Sequence, residues 1–271
     1  MTSVSTDPRD WIAEFNSPIF VVVNDIMFLV IAAPLSLVLL MLSSGYRIRA
    51  LASLSLFVTL VVVAVYQSRT ATVALVISIM ASAIMLQSKF AAWRIAVFVI
   101  GAIVMVDGIF GFPLCQKLTN QSGRIAFPLV SWAMFLDEPI HGQGLHTFGL
   151  HYQSYLAALD LPSWVRADLR PVPWAHNLYA QVLAEQGLIG ISALLFLVAS
   201  TLRVARKTIR IGDRRARLLA IGLIGALISF LVGALFDSSF LREWVVIELF
   251  CIIALISRLS TVNNGSGEDF S

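Results

Sequence analysis

Seven blocks of apolar residues, each about the length of a membrane crossing, set the terms on which this chain can fold. They cover roughly 18–43, 47–66, 70–88, 91–110, 183–203, 217–236 and 241–258. A helix of about 17–25 apolar residues spans the hydrocarbon core of a bilayer. The expected fold is therefore all-α, a polytopic membrane bundle of about seven transmembrane helices. Composition removes the alternatives. With 58% hydrophobic and 13% charged residues, the chain is far from a soluble domain, of which roughly a quarter is charged. Disorder, a secreted disulfide scaffold and a soluble metabolic enzyme are excluded. Cys115 falls in a loop and Cys251 inside an apolar block, so no crosslink is expected.

Pro34 lies within the first block. In a membrane helix it kinks rather than forbids, because neighbouring groups take up the carbonyl it frees. Orientation follows from lysine and arginine. One set of connections holds Arg47, Arg49, Lys89, Arg94 and the dense run Arg203, Arg206, Lys207, Arg210, Arg214, Arg215 and Arg217. The other holds Arg69, Lys117, Arg124, Arg166, Arg170 and Arg242, spread thinly among most of the acids. The dense set belongs in the cytoplasm. The tail 1–17 and the loop 111–182 are then external, between membrane segments 18–110 and 183–258, and the polar tail 259–271 is internal. The run 203–217 reads first as a topology determinant and second as an anionic-lipid site. The acidic start, MTSVSTDPRDWIAEFNSP, has no basic n-region, so no signal peptide is expected. An external N-terminus followed by an odd number of spans suits a chain whose upstream helices are missing or come from another membrane subunit.

The external loop is about 70 residues, far beyond an ordinary connection of about 4–6, and is expected to fold and to carry function. It holds all 4 histidines, His141, His146, His151 and His176, with Trp132, Trp164 and Trp174. The stretch 123–137 reads as a helix with Ile125, Leu129, Trp132, Ala133 and Leu136 on one face, placed at the membrane interface. Gly142 and Gly144 in HGQG end it at a turn, and a second short helix is expected over 147–158. His141-x4-His146-x4-His151 is a poor metal site. Helical ligands recur at i and i+4, and here a glycine turn intervenes without a nearby carboxylate.

Arg69 sits in YQSRTATV, where two apolar blocks meet with almost no loop. A guanidinium there either reaches outward to water or forms an anion site, being planar, always charged and able to grip phosphate with two hydrogen bonds. By topology it faces the same side as Arg124 and His176, a set suited to a lipid phosphate or diphosphate. Asp25, Asp107, Asp237 and Glu248 lie near or within spans; they partner the arginines or line a proton path.

Three segments together resemble the O-antigen ligase and polymerase family. Asn24-Asp25 followed by QSRTATVAL is similar to its serine–arginine helix junction. SGRIAFPLVSWAMFLDEPIHGQGLHTF resembles its outer-loop pattern, and AHNLYAQVLAEQGLIGISALLFL its histidine–asparagine motif running into E-x-G-x-x-G. The resemblance implies a GT-C type membrane glycosyltransferase of lipopolysaccharide or exopolysaccharide assembly. Such an enzyme moves a glycan from undecaprenyl diphosphate to an acceptor hydroxyl on the outer face of the bacterial cytoplasmic (inner) membrane. It further implies that no metal or other cofactor is used, and that Arg69, Arg124 and His176 are the functional arginines and histidine. Members of the family have about ten to twelve spans, so the seven here are expected to be a C-terminal portion or a short variant.

On that reading Arg69 and Arg124 stabilise the leaving diphosphate. His176, as an imidazole of ordinary pKa about 6.5, takes the acceptor proton or donates a hydrogen bond to the diphosphate. Substrate contacts are assigned to Arg69, Arg124, Asn177, Tyr179, Arg166 and Arg170, with Gln181 a further orienting residue. A helix cap and interface anchors explain Asn177, Tyr179 and Gln181 equally well, and plain solvated charges explain Arg166 and Arg170. The partners implied are the lipid-linked glycan donor, a glycan or lipid A–core acceptor and the bilayer, with no nucleic acid. A ligase and a polymerase share this chemistry. A transporter of a lipid-linked substrate, or a non-catalytic membrane subunit, is the reading from a different class.

Overall fold

The computed structural model describes residues 26–66, 68–86, 101, 125–161, 165, 172, 174–236 and 243–265, with no strand among them. In chain order the helices are α1 (Ile26–Leu42), α2 (Tyr46–Tyr66), α3 (Arg69–Met85), α4 (Ala126–Asp137), α5 (Phe148–Ala158), α6 (Leu178–Ile211), α7 (Arg214–Gly233) and α8 (Glu243–Gly265). Among the described residues three stretches, Tyr46–Val65, Leu178–Ile211 and Arg214–Gly233, are long and apolar enough to cross a membrane. Helices α1 and α3 are apolar but have only 17 residues each. The expected span 91–110 lies outside the described residues, apart from position 101.

One boundary differs from expectation. Arg203, Arg206, Lys207 and Arg210 are helical, because α6 continues to Ile211 beyond its apolar stretch. Arginine and lysine are good helix formers and are favoured at the negative C-terminal end of the dipole. The helix stops at Gly212-Asp213, where Asp213 Oδ1 accepts the Ala216 N–H at 2.7 Å and caps α7.

The chain divides into two compact units. The first comprises Met1–Cys115, Thr201–Gly233 and Arg242–Ser271. In it α7 packs on α1, α3 and α8, and α1 also packs on α2 and α3. A stripe of small residues on α7 lets α1 come close. Gly222 faces Leu35 and Val38, Gly225 faces Pro34 and Ser82, and Gly233 faces Met27. Close backbone approach over small residues is the usual substitute for hydrophobic driving force between membrane helices.

The same stripe resolves the proline. Pro34 has no N–H, so the Val30 carbonyl loses its helical partner. Ser229 supplies the replacement, its hydroxyl donating to Val30 O at 3.2 Å. The α1–α2 contact is also polar at two points, with Ser36 and Ser55 hydroxyls 3.0 Å apart and Thr59 donating to Leu29 O at 3.3 Å. Ser229→Ala should destabilise the protein by about 1–2 kcal/mol, the cost of orphaning a buried carbonyl. In a Pro34→Ala background the residue at 34 supplies its own N–H, and the serine substitution should become nearly neutral. Thermal unfolding of the four proteins of this double-mutant cycle checks it; additive effects would refute the pairing.

The second unit comprises Gln116–Ser200 and Ala234–Leu241. Helix α4 fills its core with Ala126, Phe127, Val130 and Met134. From α5 come Phe148, Tyr152 and Leu156, and Val165, Val172, Ala175 and Ala184 close it. Both loop helices fall within the stretches expected for them, 123–137 and 147–158. Of the face expected at the membrane interface, Leu129, Trp132 and Leu136 are exposed, while Ile125 packs against the core. The opposite face, Ala126, Phe127, Val130, Ser131 and Met134, is the buried one.

Candidate functional site

The site grows from a break in α6. Gly187 has φ 59° and ψ −152°, a combination open essentially to glycine alone. It interrupts the i→i+4 ladder and leaves four backbone groups to be paired elsewhere, as buried peptide groups must be. The turn at 139–144, which contains HGQG, supplies all four partners. Leu188 N–H donates to Pro139 O at 2.8 Å and Ile189 N–H to Ile140 O at 3.2 Å. Ala184 O accepts from Gln143 N–H at 2.9 Å, and Glu185 O from Gly144 N–H at 3.0 Å. Gly142, at φ +67°, lies so close to the Glu185–Gln186 peptide that no side chain fits. The two glycine motifs are thus halves of one clasp, and HGQG is a turn whose backbone completes a broken helix.

The first turns of α6 begin beside His176. Asn177 Oδ1 accepts the Ala180 N–H at 2.9 Å, a helix cap. Its Nδ2 donates to Leu235 O at 2.9 Å, and Leu178 N–H donates to Ala234 O at 2.8 Å. On the other side Ala175 N–H donates to Gln181 Oε1 at 2.7 Å. Held from both sides, His176 adopts φ +51°, an uncommon conformation for a residue with a Cβ. Its half-buried ring packs on Phe127, centroids 5.2 Å apart. Phe127 in turn packs on Tyr152 at 5.6 Å, tying the imidazole to the core.

A polar relay runs beneath it. Gln181 Nε2 donates to Glu185 Oε1 at 2.7 Å, and the same oxygen accepts the Phe148 N–H at 3.0 Å. Both side chains are 5% exposed. Gln181 is among the orienting residues expected from the sequence; Glu185 is not, and its only signal there is its place in E-x-G-x-x-G. A second network holds the outer end of the unit. Gln143 Nε2 donates to Met134 O and to Tyr155 Oη, each at 3.1 Å, and Tyr155 donates to Asp137 Oδ2 at 2.5 Å.

That last bond pushes the Tyr155 phenol up to about 12; the hydrogen bond to Asp137 contributes most, then loss of solvent, then the Asp137 and Glu138 charges. The folded protein holds this proton more tightly than the unfolded chain. The associated stability is therefore full below the ordinary value of 10.0 and is lost as pH rises through about 12. In Asp137→Asn, Tyr155 should titrate closer to 10.0. Phenolate absorbance of this variant, read against a Tyr155→Phe control, checks it; an unmoved titration would refute the coupling.

Arg69 lies in the first unit, half-buried, as the first residue of α3. Ser68 is the N-cap, its Oγ accepting the Ala71 N–H at 3.3 Å, which gives the serine of the serine–arginine junction its role. Arg69 thus opens α3 at the positive end of its dipole, an end that favours an anion. Arg124, Arg166 and Arg170 lie outside the described residues, as do Asp25, Asp107 and Asp237. Tyr179 is half-buried in the first turn of α6. Glu248, on α8, keeps Oε2 buried with no hydrogen-bond partner among the described residues. His141 and His146 are exposed and His151 is half-buried; among the described residues no three His, Cys, Asp or Glu side chains are grouped as a metal ion would need.

The sequence profile of the O-antigen ligase family matches residues 54–195, more than half of the chain. The chain belongs to the O-antigen ligase family. No curated protein matches it. The O-antigen ligase domain takes in the Ser68–Arg69 junction, both loop helices, the clasp and His176. Membership makes this a membrane protein and an enzyme of ligase or polymerase type, acting on a lipid-linked glycan and an acceptor.

Proposed function

We propose that this O-antigen ligase family member transfers a glycan from undecaprenyl diphosphate to an acceptor hydroxyl, lipid A–core or another glycan, at the outer face of the bacterial inner membrane. The observation that carries the reading is His176: a residue with a Cβ, held at φ +51° from both sides, within the family domain. Backbone strain of this kind persists where the surroundings over-determine it, and it gathers at functional sites. In the reaction the acceptor oxygen attacks the anomeric carbon, the bond to the diphosphate oxygen breaks, and configuration inverts. His176 takes the acceptor proton. Arg69 and Arg124 neutralise the charge that grows on the diphosphate, without a metal ion or other cofactor. Asn177, Tyr179, Arg166 and Arg170 contact the donor or the acceptor. The frame is a GT-C type bundle of about seven spans, with 1–17 and 111–182 outside and 259–271 in the cytoplasm.

Complementation of a ligase-null and a polymerase-null strain tests this, with His176→Ala and Arg69→Ala run beside the wild type at matched expression. Glycan on the acceptor in the first strain, lost in both variants, is the expected result. A ladder of repeats on undecaprenyl diphosphate in the second strain would make the protein a polymerase. Rescue that both variants retain would refute the site and favour a transporter or a non-catalytic subunit.

A further inference from the structure

We infer that Glu185 is a positioning residue, setting His176 through Gln181; the inference rests on the reading of His176 given above. A carboxylate at 5% exposure is costly to bury unless it is hydrogen-bonded, so its partners show what it is for. Glu185 Oε1 accepts two bonds from parts of the unit far apart in sequence. One comes from Phe148 N–H, in the first turn of α5. Thr147, at the cap position of that helix, makes no side-chain cap of its own, and a negative charge is favoured at a helix N-terminus. Glu185 therefore caps α5 from a distance of 37 residues.

The other bond comes from Gln181 Nε2, and fixes which way the Gln181 amide points. With Nε2 committed to Glu185, Oε1 faces Ala175 and takes its N–H. That N–H belongs to the peptide immediately before the one that leads into His176. Reversing the amide would set its NH2 against the Ala175 N–H, donor against donor, so the carboxylate selects the orientation that pins the histidine loop. The backbone carbonyl of Glu185 is meanwhile held by Gly144 in the clasp. One residue thus joins α5, the glycine turn and the loop of His176, and Gln181 is the link to the imidazole.

The test uses full-length protein in membranes with a lipid-linked donor, reading kcat, KM for the donor and the melting temperature for each variant. Gln181→Leu cuts the link to Ala175 and leaves the α5 cap in place. It should lower kcat about tenfold or more, since a displacement of about 1 Å in a reacting group can cost about a hundredfold. KM should stay within about twofold. Glu185→Ala should lower both kcat and melting temperature, whereas Glu185→Gln, whose amide oxygen can accept both bonds, should restore both. Gln181→Leu with wild-type kcat would overturn the inference, as would a Glu185→Gln no better than Glu185→Ala. His176→Ala is measured in parallel. If it is fully active, the reading of His176 falls and this inference falls with it; if it is inactive while Gln181→Leu is not impaired, only the positioning role falls.

Discussion

Gly187→Ala should destabilise the second unit by about 3–5 kcal/mol, the sum of a backbone conformation closed to alanine and an overpacked contact. A Cβ at this position would lie 2.5 Å from Ile140 O and 2.6 Å from its carbonyl carbon. Those atoms belong to backbone that is itself hydrogen-bonded to Ile189. Nothing flexible can give way, so the chain must either move the HGQG turn or abandon φ 59° at residue 187. Either response breaks the four bonds that replace the interrupted helical ladder. The loss propagates to Glu185, whose carbonyl is one of the four acceptors. Gly45→Ala is the control: its Cβ would meet only Ser43 Oγ at an ordinary 3.8 Å, and the change should stay within about 0.5 kcal/mol. Thermal unfolding, with limited proteolysis of residues 116–200, reads the difference. A Gly187→Ala protein that melts with the wild type would refute the clasp.

His176→Ala should lower kcat by about 10²–10⁴-fold, the range for losing a general base. The ring is half-buried and rests on Phe127, which keeps its own place against Tyr152, so the core should survive. Alanine at φ +51° retains the backbone strain, whereas glycine relieves it. His176→Gly separates the two effects: it should be as inactive as His176→Ala while melting no lower. Imidazole added in solution should restore part of the rate to either variant. A fall in kcat of less than about tenfold, or activity in His176→Gly near wild type, would remove the imidazole from the reaction and leave the strained backbone without a catalytic reason.

The long apolar helices and the loop helices were open to a reader of the sequence for a local reason. A span is recognised by the length of an apolar run against the thickness of a bilayer, and a loop helix by a period of about 3.6 residues. Both are one-dimensional quantities, and so α2, α7 and α4 lie close to where the residues placed them, while α6 runs on past its apolar block into the basic run. The order of short motifs likewise sufficed for the family, since Ser68–Arg69, the loop helices and His176–Asn177 follow one another along the chain.

Pairing was another matter. That Pro34 needs a donor is plain from its chemistry; that Ser229, 195 residues on, provides it depends on how α1 and α7 meet. The four groups released at Gly187 are countable from the ladder, but the turn at 139–144 that answers them has no propensity pointing there. The carboxylate of Glu185 finds α5 and Gln181 only once the clasp has closed. Local sequence states what each backbone group and side chain requires. Which distant partner meets the requirement is settled when helices pack, because hydrogen bonds need register within a few tenths of an ångström and no single segment carries that information.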